Sequence, residues 1–416
     1  MSSYASVDHP LTRLTRWVPE EEAFRVNDFI LGSQSNSNSY LIETAGGDVV
    51  VNTGTTLQAP RHRERFEQAL GRALDVRAIV FTQSHPDHIG GWPLFNAPGA
   101  ETIATEALLE GILDWPRLRG LYMLRFGKIF GRKNRMDEPG HEEAYFAAPR
   151  PELTVAFRDA HAFEVGGRRF ECLAMPGGET LDGLALWLPD ERVVFIGNLI
   201  GALYRQYPHL STIRGDRSRS ARTLIACLDR LLALEPETLI AGYDEPKRGA
   251  DTVREFLERV RDGMRHVHDE TVRGMNEGKD LWTLMREIEV PEELRMGPNR
   301  GPVGWNVRAV WEEYVGWFRF ESPTELYPVP RQAIWPELAE AAGGPDALAG
   351  RAAAHVAGGR PEQALHLTEI ALAADPGHAA ATEARIAALE QLIERTGGDT
   401  FDDLSYLEAE LAEARG

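Results

Sequence analysis

The chain has 416 residues, 43% of them apolar and 26% charged, which suits a globular protein of two or three domains with proper cores. A net charge of −19 and a pI near 5.2 exclude, on electrostatic grounds, a nucleic-acid or anionic-membrane partner. No apolar run reaches membrane-span length, and Met1 to Arg16 carry no signal-peptide core, so a cytoplasmic location is expected.

Residues 1–25 are polar and read as an extension. Phe29–Leu31, Tyr40–Ile42 and Asp48–Val51 then read as three strands separated by the polar run Gly32–Ser39 and a Gly46-Gly47 turn. Phe66, Leu70 and Leu74 recur at helical spacing before the buried strand Ala78–Phe81. Helices are expected over Ala104–Leu113 and Leu118–Phe130, followed by a Pro/Gly/charge-rich segment, Asp137–Pro151, with the composition of a lid or insertion. Strands resume at Phe170–Leu173, Leu184–Leu188 and Val193–Ile196. A helix over Ser220–Leu234 leads to the strand Thr238–Ala241. Beyond Pro246 the strand signal ends, which sets a domain boundary near residue 247. Val253, Phe256, Leu257, Val260, Met264 and Val267 form a helical stripe. Asp346–Ala357, Pro361–Ala374 and His378–Arg395 have a tetratricopeptide-like helix-turn-helix rhythm. Cys172 and Cys227 sit in apolar stretches and are expected as buried free thiols.

The richest stretch follows the strand Ala78–Phe81: Thr82-Gln83-Ser84-His85-Pro86-Asp87-His88-Ile89-Gly90-Gly91. Two imidazoles and a carboxylate leave one strand end together, and these are ligand types that suit zinc or iron. The stretch resembles the metallo-β-lactamase superfamily motif, with Gln83 in place of the first histidine. Met175-Pro176-Gly177-Gly178-Glu179 is similar to the Pro-Gly-Thr-Glu pattern of the superfamily's alkylsulfatase branch, which implies Glu179 as a ligand. Phe195–Asn198 matches the segment that ends in the bridging carboxylate, here Asn198. Ala241–Pro246 matches the segment of the late histidine, here Tyr243. Asn52 stands where an aspartate is usual. Tyr207–Gly215, Val303–Arg308 and Tyr314–Phe318 also match the alkylsulfatase branch, and the family's C-terminal sterol-carrier-like domain has no counterpart in the sequence.

The resemblance implies an αββα sandwich over residues 26–246 and an all-helical dimerisation domain over 247–416, hence a homodimer. It implies a metal set drawn from His85, Asp87, His88 and Glu179, with Gln83, Asn198 and Tyr243 at the substituted positions. One metal would be offered His85, Glu179 and the Gln83 carboxamide, and the other Asp87, His88 and the Tyr243 phenol. Both sets are weak, because carboxamide is a poor ligand and phenol has to lose a proton of pKa about 10. One zinc ion is therefore expected, with iron as the alternative that a tyrosinate would favour. Asp87 and His88 are the catalytic candidates, and Arg214 and Trp305 the substrate-binding ones. Trp305 replaces a histidine that helps hold sulfate in the family, and an indole offers a sulfate no charge. The stripe Val253–Val267 and the aromatics Trp305, Trp311, Trp317 and Phe318 are expected at the dimer interface.

Two functions follow from the residues. One is metal-dependent hydrolysis of an ester-like small molecule, a sulfate ester among them. The other is a non-hydrolytic or divergent protein on the same fold that binds little or no metal. Plainer roles compete at each position: Glu179 as a capping carboxylate, Tyr243 as packing, Asn198 as a hydrogen-bonder, and the arginines 214, 217, 219 and 222 as surface charge. His141, His209, His266 and His268 are assigned no role.

Overall fold

A computed structural model describes residues 22–35, 37–129, 141–201, 207–296, 301–398 and 400–416, with the side chains of 141–143 outside the description. Contacts divide the chain into two compact units, residues 1–313 and 314–416.

In the first unit, seven strands pair in chain order: β1 (Phe24–Arg25), β2 (Ile30–Ser33), β3 (Ser39–Thr44), β4 (Gly47–Val51), β5 (Val76–Val80), β6 (Glu101–Thr105) and β7 (Val155–Phe157). A second sheet holds β8 (Ala160–Val165), β9 (Arg168–Ala174), β10 (Leu184–Leu188), β11 (Val193–Gly197), β12 (Thr238–Ala241) and β13 (Lys247–Arg248), also in chain order across the sheet. Pairs β4–β5, β5–β6, β6–β7 and β11–β12 are parallel, and each parallel step needs a crossover, which the intervening helices supply.

Alternation along the strands builds the layers. Ile30, Ile42, Val49, Val51 and Val80 face inward and meet Cys172, Leu186, Val193, Phe195 and Ile240 from the other sheet. Their neighbours Leu31, Leu41, Val50 and Ile79 face outward and are covered by the helices Ala59–Leu70 and Ala107–Arg117 through Phe66, Leu108 and Ile112. On the far side, Trp187, Val194 and Leu239 are covered by the helices Ala221–Ala233 and Ala250–Asn276. Both faces of both sheets are therefore buried, the αββα sandwich expected. Cys172 and Cys227 are free and buried, as expected.

Two corrections follow. Val253, Leu257, Val260, Met264 and Val267 are fully buried against the second sheet's helix layer, so this stripe belongs to the core of the chain and offers no interface. The texture change near residue 247 falls at the start of the helix Ala250–Asn276. Ala104 and Thr105 end strand β6 where a helix was expected, because parallel pairing with β7 buries them. Of the lid segment, residues 137–140 lie outside the described residues, and His141–Phe146 is helical.

The second unit is helical: Trp335–Ala341, Pro345–Ala357, Pro361–Ala374, Ala379–Arg395 and Asp402–Arg415. Its core uses alanine at close approaches (Ala349, Ala352, Ala364, Ala371, Ala381, Ala384, Ala388). Ahead of that core lies an apolar stretch left open, with Trp317 75%, Phe320 87% and Tyr327 66% exposed. No described helix is long and apolar enough to cross a membrane.

Candidate active site

Strand β5 delivers the motif. Beyond it, Thr82 is clamped from the end of β4: its N–H and hydroxyl meet Asn52 Oδ1 and Nδ2 at 3.0 Å each. Asn52 has φ 58°, a left-handed conformation that asparagine tolerates better than most residues. Its role is to fix the motif loop. His85 then precedes the short helix Pro86–Ile89, with proline in the first turn where no N–H is needed. The His88 carbonyl accepts from Thr53 N at 2.7 Å, which seats the turn against the first sheet.

The structure brings His85, Asp87, His88 and Glu179 together, and all four are buried. The His85 and His88 rings are 6.5 Å apart between centroids. His85 Nδ1 lies 3.9 Å from Glu179 Oε2, and His88 Nε2 lies 3.9 Å from Asp87 Oδ2. Each of the four is already held by a neighbour. Gln83 Oε1 accepts from Asn198 N at 3.2 Å, which turns its amide so that Nε2 faces His85 Nδ1 at 2.9 Å. An amide N–H there makes Nδ1 the acceptor and leaves the imidazole proton on Nε2. Asn198 Nδ2 reaches His88 Nε2 at 3.2 Å. The Tyr243 hydroxyl donates to Asp87 Oδ2, and Arg214 Nη2 donates to Glu179 Oε1 at 3.1 Å.

Protonation follows the same pattern. Burial, with Asp87 close by, pushes the Tyr243 phenol well above its ordinary value, so it stays a neutral donor. Burial lowers the His88 imidazole and keeps it uncharged. Asp216 is largely but not fully buried, and Arg214 and Arg219 hold its carboxyl below the usual range.

This donor set does not fit the two-metal centre that the family resemblance implies. The imidazole nitrogens that face the cluster are taken by carboxamides, and one carboxylate oxygen accepts a hydrogen bond from a phenol. No three of the described His, Cys, Asp or Glu residues are placed to hold one ion. Asn198 contributes no charge between two cations, whose repulsion an anionic bridge would have to offset.

His85 and Glu179 also form part of the wall of a cavity of about 280 Å³. Trp115, Tyr122 and Leu181 supply its apolar side, and Trp115 meets His85 edge-on at 5.6 Å. Ser84, Asp182 and Asp216 line it too and were not singled out by the sequence, while Arg219, like Arg214, is buried rather than surface charge. Asp182, three residues after Glu179, was the most accessible signal. Arg214 is committed to two carboxylates, Glu179 and Asp216, the latter at 2.9 Å. Trp305 packs edge-on against His209 at 6.2 Å and is not among the described residues lining the cavity.

Comparison with known proteins places this geometry. The metallo-beta-lactamase superfamily model matches residues 32–243, about half of the chain, and the alkyl sulfatase dimerisation model matches residues 283–411. The chain is 30% identical over 317 residues to a linear primary-alkylsulfatase of a Pseudomonas strain, covering 70% of this chain and 58% of that protein. It is 24% identical over 378 residues to the alkyl/aryl-sulfatase BDS1 of Saccharomyces cerevisiae, covering 86% of this chain and 58% of the relative. The chain thus spans less than two thirds of the length of these relatives. In fold it is similar to the stereoselective inverting sec-alkylsulfatase Pisa1 from Pseudomonas sp. (TM-score 0.79, 23% identity, 95% of this chain and 66% of that one).

Proposed function

Because the chain belongs to the metallo-beta-lactamase superfamily, we propose that it hydrolyses a small sulfate ester in the cavity beside His85. The observation that carries this reading is the cavity itself: an apolar wall of Trp115, Tyr122 and Leu181 for the organic part, facing a polar wall with His85 and Glu179. The alkylsulfatase relatives support sulfate esters as the substrate class. In this reading His85 is positioned by Gln83 and presents its Nε2 side for proton exchange, while buried Glu179 is held in place by Arg214. Asp87 and His88 are not among the described residues lining the cavity; Asp87 accepts from Tyr243 and His88 Nε2 pairs with Asn198. We further read residues 247–416 as the helical part through which the chain forms a homodimer, supported by the dimerisation match.

The test is sulfate release from a series of short and long alkyl sulfates by purified protein whose metal content is measured in the same sample. Release that is lost in His85→Ala supports the reading. No release from any ester, in protein that is folded by circular dichroism, overturns it.

A further inference from the structure

The corner of chain beside the cavity departs from the rest of the molecule in two ways. The first is charge. In a sequence with 64 acidic and 45 basic residues, residues 115–136 hold seven arginines and lysines and no acidic residue. The second is burial. Pro116 to Leu121, where the helix Ala107–Arg117 turns into the helix Arg119–Ile129, are all exposed. Leu118, Leu121 and Leu124 stand 38%, 45% and 67% exposed. Trp115 and Tyr122 flank this run, and both line the cavity.

The helix Arg119–Ile129 is apolar on two sides. Its inner side buries Tyr122, Phe126 and Ile129, and the Trp115 ring meets Tyr122 and Phe126 at 5.3 and 5.9 Å between centroids. That aromatic cluster fixes the helix to the cavity wall. Leucines 118, 121 and 124 recur at three-residue spacing, which places them along one side. A helix apolar all round is ordinarily covered all round, and here the leucine side is open. Among those leucines stand Arg119, Arg125 and Lys128. Arg125 is exposed, donates to the Ile213 carbonyl at 3.2 Å, and has no carboxylate partner among the described residues. The acids that adjoin the corner are already matched, Glu110 by Arg117 at 3.0 Å and Asp114 by Arg217 through two bonds of 2.6 and 2.9 Å.

Exposed leucines set among cations match hydrocarbon lying under a layer of anionic head groups. Nucleic acid would match the charge and leave the leucines unburied. The whole-chain charge of −19 opposes an anionic surface. Salt screens that opposition beyond about 8 Å, so the charge of the contacting corner decides. The exclusion that net charge sets for the chain as a whole does not extend to this corner.

We propose that the corner docks on an aggregate of long-chain alkyl sulfate, with Leu118, Leu121 and Leu124 among the hydrocarbon chains and Arg119, Arg125 and Lys128 at the sulfate head groups. Docking sets the cavity wall of Trp115 and Tyr122 against the store of substrate. The identity of the amphiphile rests on the hydrolase reading, and the surface rests on the leucines and their charge.

The test is co-sedimentation of the full chain with phosphatidylcholine vesicles that carry or lack hexadecanesulfonate, a stand-in for the sulfate ester that cannot be hydrolysed. The sulfonate vesicles are expected to take up at least tenfold more protein. Leu121→Ser with Leu124→Ser should lower that uptake at least fivefold and leave release from short dissolved esters unchanged. Equal uptake by both vesicles overturns the proposal, and so does a double variant that binds like wild type. Vesicles of equal charge made with phosphatidylglycerol should bind less, because only the sulfonate can also enter the adjoining cavity. Uptake as strong as with the sulfonate reassigns the corner to lipid membranes and overturns alkyl sulfate as its occupant. A double variant that dissociates in sedimentation without vesicles reassigns the leucines to a second copy of the chain and overturns the proposal too. Ester release without docking overturns the proposal alone. Docking without release from any ester supports the surface and overturns the hydrolase reading alone.

Discussion

Asn198 Nδ2 lies 3.2 Å from His88 Nε2, so a carboxamide occupies the imidazole edge that faces the cluster. The same exchange recurs at His85, where Gln83 occupies Nδ1 at 2.9 Å, and at Asp87, which accepts a hydrogen bond from the Tyr243 hydroxyl. These substitutions do more than delete ligands. Each supplies a neutral group that pairs with one polar atom of a ligand left behind, although His88 Nδ1 has no partner among the described residues.

Metal content is therefore expected to be at most one ion per chain after dialysis against zinc or iron, read by elemental analysis. The triple replacement Gln83→His, Asn198→Asp, Tyr243→His should raise occupancy toward two. Two tightly held ions in the wild-type chain would contradict the interlocked geometry.

Asp216 joins Arg214 and Arg219 within the buried polar cluster. Asp216→Asn should cost roughly 3–5 kcal/mol at neutral pH, the scale for breaking a buried pair. Its folded pKa lies below the unfolded value. Its contribution is thus present above roughly pH 4 and lost as pH falls through the folded value. Denaturant titrations of wild type and variant should converge in acid.

His62, against the first sheet, is fully buried, bonds Ser33 Oγ at 2.7 Å, and has its pKa lowered by burial from 6.5 to about 3. The unfolded chain takes up this proton first, so the stability is complete above about pH 6.5 and is lost on acidification. The loss is roughly 1.4 kcal/mol per pH unit across that window. His62→Gln should flatten this part of the urea-midpoint profile between pH 7 and 4.5.

The exposed aromatics and the buried stripe separate association from folding. Trp317→Ser with Phe320→Ser should weaken self-association at least tenfold by sedimentation, with chain stability changed by only about 0.5 kcal/mol. Leu257→Ala, by contrast, should cost about 2–5 kcal/mol in denaturant, because Leu257 is fully buried within the chain.

Local pattern alone determined much of this protein. Strands read as short apolar runs, the helix over Ala221–Ala233 and the strand-end placement of His85, Asp87 and His88 were all legible, because a sheet buried on both faces leaves a continuous apolar run in the sequence. The resemblance implied that Glu179, Asn198 and Tyr243 gather around the motif, where Asn198 pairs with His88, Tyr243 with Asp87, and Glu179 lies near His85. Which atoms meet there was decided by tertiary structure alone. The orientation of the Gln83 amide is set by the backbone N–H of Asn198, 115 positions away. The commitment of Arg214 to Glu179 likewise depends on segments that are distant in the sequence and meet only in the fold. The stripe Val253–Val267 was misassigned for the same reason: helical periodicity marks a face that is covered, and only the packed fold reveals that the cover is the chain's own second sheet and the helix Ala221–Ala233.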